Sequence, residues 1–156
     1  MRRKAFPLVL GAFCALGLAP GAGAQPDRVL QGDGSALALV NGRGTAATHS
    51  RNGSLLGTLR RGRIAVVDRA GGAKTTVRFW GCEERRRPSP RKTVCIGRGL
   101  RVSVLNGSWI TTLRGRRVNA SAVAEGRLRI RGSRGTFAID GVSRSWPSEF
   151  RTYALG

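Results

Sequence analysis

Carboxylates, histidine and aromatic rings are all scarce in this chain of 156 residues, which carries eight acidic side chains, one histidine and 6% aromatics. Each scarcity closes a class of chemistry. A serine triad needs a positioned His beside an Asp. His49 instead sits in Thr48-His49-Ser50, no Gly-x-Ser-x-Gly elbow occurs, and it reads as a polar strand residue. Glycoside hydrolysis needs two facing carboxylates. The acidic residues Asp27, Asp33, Asp68, Glu83, Glu84, Glu125, Asp140 and Glu149 fall mostly at strand ends and in turns. Turn capping explains Asp68 and Asp140 better than a catalytic pair does. Two distant cysteines and a lone His do not make four metal ligands, and there is no phosphate loop or dinucleotide fingerprint. The expectation is a non-enzymatic protein with no metal and no cofactor.

Long apolar runs are also missing, with one exception at the start. Met1-Arg2-Arg3-Lys4 is a short positive stretch, and Ala5 to Leu18 follows without a charge. Pro20 then breaks the run, and Ala22-Gly23-Ala24 offers the small-x-small pattern of a cleavage site. This is the layout of a secretory signal helix over residues 1–24, with Gln25 first in the mature chain. The run is shorter than the roughly 20 residues that span a bilayer, so no transmembrane segment is expected after cleavage. Phe13 before Cys14 does not suit a lipoprotein signal, and Arg2-Arg3 lacks the rest of a twin-arginine motif.

Basic residues are what the chain has in excess. Residues 25–156 hold 25 basic and 8 acidic residues, a net charge of +17, and all the basic ones except Lys74 and Lys92 are arginines. Codon bias toward Arg, Ala and Gly is one source of such a composition. Selection for holding anions is another, because guanidinium meets phosphate or carboxylate in a two-pronged geometry. Either way, the charge attracts acidic polymers.

Glycine is the other excess, at 23 residues, and after the signal no segment shows an apolar period of 3.6. Short alternating runs recur instead, separated by Gly, Asn-Gly or Arg-Gly. Val102/Val104, Leu128/Ile130 and Phe137/Ile139 point one way, and Arg101/Ser103, Arg127/Arg129/Arg131 and Thr136/Ala138/Asp140 the other. That is a half-buried antiparallel sheet. The expected fold is all-β: one domain over 25–156, a small antiparallel sandwich or barrel of about ten short strands. Asn41-Gly42, Asn52-Gly53 and Asn106-Gly107 read as its hairpin turns. Leu39-Val40-Asn41-Gly42 resembles Val104-Leu105-Asn106-Gly107, and the glycines at 53 and 62 match those at 126 and 135. Two pseudo-repeats over 31–69 and 99–141 follow as a hypothesis, with a stacked β-solenoid as the structural rival.

With Cys14 in the signal, Cys82 and Cys95 remain, and an even pair in an exported domain implies a disulfide. The ring over 82–95 would contribute roughly 3 kcal/mol by chain entropy. It encloses Glu83 to Lys92, whose two prolines argue for an exposed loop without regular pairing. The anion-binding candidates are Arg85, Arg86, Arg87, Arg91 and Lys92 in this loop, with Arg127, Arg129 and Arg131 on one strand. Trp146, in Ser145-Trp146-Pro147, is the candidate aromatic platform, whereas Trp80 and Trp109 read as core. Nucleic acid is not expected, because basic and aromatic residues interleave in only two short places and the compartment is wrong for it.

Gly-Thr-Phe-Ala-Ile-Asp-Gly at 135–141, within the rhythm of Gly-Arg-Gly turns and short strands, resembles the secreted β-rich proteins of high-GC bacteria. The resemblance covers roughly residues 30–155 and implies no activity and no functional residues. The expected role is an exported domain binding an acidic envelope polymer, or anionic lipid headgroups, through its arginine face. A structural or assembly module of the envelope is the first alternative, and a carbohydrate-binding or protease-inhibitor module the second.

Overall fold

The computed structural model describes residues 34–69 and 74–156, so the signal helix and its cleavage point lie outside the described residues. Every described strand or helix is a strand. There are seven: β1 (Ser35–Asp68), β2 (Thr76–Trp80), β3 (Glu84–Ser89), β4 (Lys92–Leu105), β5 (Trp109–Ile139), β6 (Val142–Ser145) and β7 (Arg151–Leu155). All pair antiparallel in one sheet. The all-β antiparallel expectation is met, but about ten short strands are replaced by seven, two of them 34 and 31 residues long.

The register of the two long strands determines the architecture. Ser35 pairs with Ala124 and Ser50 with Trp109; Gly53 also pairs with Ala124, and Asp68 also with Trp109. One half of β5 (109–124) therefore lies between the two halves of β1 (35–50 and 53–68). Those halves run in the same direction and are joined by only Arg51 and Asn52. Reciprocally, Ser50 pairs with Trp109 on one side and Gly126 on the other, so the first half of β1 lies between the two halves of β5. A flat sheet cannot satisfy both sets of pairs. The two strands must wind together into a flattened coil. Positions 35 and 53 share one partner, so a turn takes 18 residues and climbs two strand spacings, roughly 10 Å. The coil does not close into a barrel: its sheet ends on β2 and β3 beyond β4, and on β6 and β7 beyond β5.

Burial shows where the coil turns its corners. Leu37 and Leu39 face inward on odd positions, Ala46, Thr48 and Ser50 on even ones, Leu55 and Leu59 on odd ones, and Ile64 and Val66 on even ones. β5 alternates in the same manner, from Trp109 and Leu113 to Val118, Ala120 and Ala122, and later to Phe137. A strand can change the parity of its inner face only by inserting a residue. Asn41 (φ 51°) and Arg117 (φ 50°) sit at two such changes in a conformation rare for residues with side chains. Asn41-Gly42 and Asn52-Gly53, which read as hairpin turns, are thus bends within one continuous strand. Only Asn106-Gly107 makes the expected turn, between β4 and β5.

The inward faces form a single core, with Leu55, Ile64, Leu100, Val104, Trp109, Val118, Leu128 and Ile130 fully buried. Trp109 also donates its indole N–H to the Gly53 carbonyl at 3.0 Å, anchoring the second half of β1 to β5. Cys82 and Cys95 form the expected disulfide, with a Cα separation of 5.3 Å. The ring is not the unpaired loop its prolines suggested. Glu84, Arg85 and Arg86 pair with Ile96, Cys95 and Val94, and the register breaks before Ser89, so Pro88 falls in the irregular stretch. Every residue of β3 is exposed, as expected.

Candidate anion-binding site

One corner of the coil gathers residues from five neighbouring strand segments. Arg61 pairs with Arg98 on one side and Arg116 on the other, and Arg43 pairs with Arg116 and Arg134. The order Arg98, Arg61, Arg116, Arg43, Arg134 is therefore a ladder of lateral neighbours, with strands about 4.8 Å apart. All five side chains are exposed. Beside it runs a parallel ladder of glycines: Gly97, Gly62, Gly115, Gly44 and Gly132. The backbones approach so closely there that a Cβ on Gly62 would run into the Arg114 carbonyl, and one on Gly44 into that of Arg131. The glycines let the strands approach and bend, and the arginines beside them stand on the exposed face.

Hydrogen bonds hold the corner in place. Asn119 accepts the Asn41 N–H at 2.8 Å and donates its side-chain amide to the Arg117 carbonyl at 3.1 Å, joining two bulged strands. Trp146 packs where Gly42 and Gly132 lack side chains, and its indole N–H donates to the Thr136 carbonyl at 3.0 Å. At 6% exposure it is part of the core, which corrects its reading as an exposed platform. Trp80, read as core, is 48% exposed, because it shares the outward face of β2 with Thr76 and Arg78 while Val77 and Phe79 pack against the core.

The five ladder arginines, with Asn41, Arg60 and Arg117, line a concavity of about 810 Å³. An adjoining hollow of about 490 Å³ shares Arg43 and Arg116 and adds Arg114, Arg131, Thr45, Ser133 and Ser148. Among the described residues no carboxylate lines either one. Among the described residues the ion pairs are Arg51–Glu125 at 3.8 Å and Arg86–Glu84, both away from this corner. Adjacent like charges in water repel by about 1 kcal/mol at 4 Å, and by more where protein displaces water. The ladder therefore carries a repulsion that internal partners leave unrelieved, and a multivalent anion would relieve it.

The residues singled out from sequence lie elsewhere, except one. Arg85, Arg86, Arg87, Arg91 and Lys92 are exposed on the β3–β4 hairpin, where Arg85 stacks over Phe79 at 5.3 Å and Arg86 bonds to Glu84. Arg127, Arg129 and Arg131 line the outer face of β5, with Arg129 and Arg131 both over the Phe150 ring, at 4.4 and 4.7 Å. Only Arg131 also reaches a hollow of the corner. Sequence reasoning missed Arg43, Arg61, Arg98, Arg116 and Arg134 because all five adjoin glycines in what read as turns. A usable signal was present: the intervals 43–61, 98–116 and 116–134 are each 18 residues, one turn of the coil.

Neither His49 nor Asp68 nor Asp140 lines either hollow. His49 is held below its ordinary pKa, first by burial and then by Arg127, Arg69 and Arg129. The Asp140 carboxylate accepts the Ala36 N–H at 2.8 Å, and the Asp68 N–H donates to the Arg91 carbonyl at 2.9 Å. Among the described residues no three His, Cys, Asp or Glu side chains gather as metal ligands, and no helix is long and apolar enough to cross a membrane. No family model, curated protein or solved structure matches the chain.

Proposed function

We propose that this chain is an exported, non-enzymatic β domain that binds acidic polymers of the cell envelope through the arginine corner. The observation that carries the proposal is the ladder of Arg98, Arg61, Arg116, Arg43 and Arg134 on adjacent strands, with no carboxylate among the described residues lining its hollow. The Arg127, Arg129 and Arg131 row extends the basic surface along β5. Export rests on the signal over residues 1–24, and the Cys82–Cys95 disulfide is compatible with an oxidising compartment. The two-repeat reading is retained here as well, since each proposed half contains one of the two long strands that wind together.

Retention of the chain on isolated cell envelope, followed as salt is raised beside a charge-matched arginine-rich control, tests the proposal. Stronger retention than the control, falling steeply with salt, is the expected result. Retention equal to the control would reduce the charge to composition. One observation favours a second reading, an assembly module. The outer edges of β2 and β6 have no partner strand among the described residues, and they carry the exposed Trp80 and Val142. Self-association that persists at high salt would favour that reading.

A further inference from the structure

The ladder has a direction, and the direction constrains its ligand. Its five arginines stand on successive strand segments, so their line crosses the strands and follows the axis of the coil. Resting on the anion-binding reading above, we infer that the 810 Å³ hollow holds one extended acidic glycan laid along that axis, with its acidic groups against the arginine ladder.

Spacing supports this occupant first. The repeat of an extended sugar chain is close to the strand spacing of about 4.8 Å. The acidic groups that such a chain turns toward the ladder can then meet its guanidiniums in the two-pronged geometry that arginine favours. The lining distinguishes a glycan from the other polyanions. Among the described residues no aromatic side chain faces the hollow, so they offer no stacking platform of the kind single-stranded nucleic-acid sites use. No apolar side chain lines it either, whereas membrane-surface elements bury apolar groups among the lipids. The adjoining hollow is lined by Thr45, Ser133 and Ser148, residues that carry hydroxyls, together with Arg114 and Arg131. Those hydroxyls suit sugar hydroxyls, which a bare polyphosphate does not offer.

The test is calorimetric binding of galacturonate oligomers, from two to about ten units, to the full disulfide-bonded chain at fixed salt. Affinity should rise with length up to about five units, the span of the ladder, and then level off apart from a statistical gain. The methyl-esterified pentamer should not bind. Arg43→Gln with Arg116→Gln removes two central rungs and should weaken the pentamer about tenfold, with circular dichroism unchanged. An unbroken rise through ten units, or equal binding of an oligodeoxynucleotide or polyphosphate of the same charge, overturns the glycan inference and leaves the anion-binding proposal standing. No binding at any length, with no retention on any longer polyanion, overturns both.

Discussion

Gly62 and Gly99 both have positive φ, at 153° and 59°, yet alanine at the two positions should have different effects. At Gly62 the new methyl would meet the Arg114 carbonyl and stand 2.8 Å from the Gly115 Cα, both backbone groups of a paired strand. At Gly99 nothing lies within 4 Å. Gly62→Ala should cost about 3 kcal/mol through forced strand separation, and Gly99→Ala about 1 kcal/mol through backbone strain alone. Urea denaturation of the two variants measures both. Equal costs would mean that close approach at the corner is not what requires glycine. His49 supplies a residue-scale pH effect. Its folded pKa is lowered, so the unfolded chain binds the proton more readily as pH falls through the ordinary value of 6.5. Stability should therefore be fully present above that value and decline below it. His49→Gln should flatten this part of the pH profile in denaturant titrations.

At the scale of the element, alternation was legible and continuity was not. Leu128/Ile130 and Val102/Val104 face the core, and Arg127, Arg129 and Arg131 face outward, as the period of two required. Asn41-Gly42 and Asn52-Gly53 carry the residue types of hairpin turns. Their use as bends inside a 34-residue strand depends on partners more than 60 positions away in sequence, such as Asn119 for Asn41. Trp146 was misjudged for a related reason: it fills space left by Gly42 and Gly132, glycines that only the coil brings beside it. Within β3, the pairing of Glu84 to Arg86 with β4 is stapled by Cys82–Cys95, and Cys95 is fully buried. Reduction should lower stability by about 3 kcal/mol. Hydrogen exchange should quicken first at the β3 amides while those of β5 around Leu128 stay protected. Uniform loss of protection would show instead that the bridge holds the whole coil.

For the molecule as a whole, the winding of β1 and β5 turns a sequence interval into a surface. Residues 18 apart come to lie two strands apart, and the intervening strand supplies the arginine between them, as Arg116 does between Arg43 and Arg61. The 18-residue interval was present in the sequence, but it has meaning only once the length of a turn is known, and strand alternation does not reveal that length. Composition foretold a basic surface; the register decides which arginines form a concave site and which remain dispersed. The most direct test compares two variants of equal net charge on a polygalacturonate column as salt is raised. One carries Arg43→Gln, Arg61→Gln and Arg116→Gln in the ladder, and the other Arg85→Gln, Arg86→Gln and Arg87→Gln on the β3 hairpin. The ladder variant should elute at much lower salt, with the hairpin variant close to the unaltered chain. Elution of both variants together would contradict a site at the corner and leave only the net charge to explain binding.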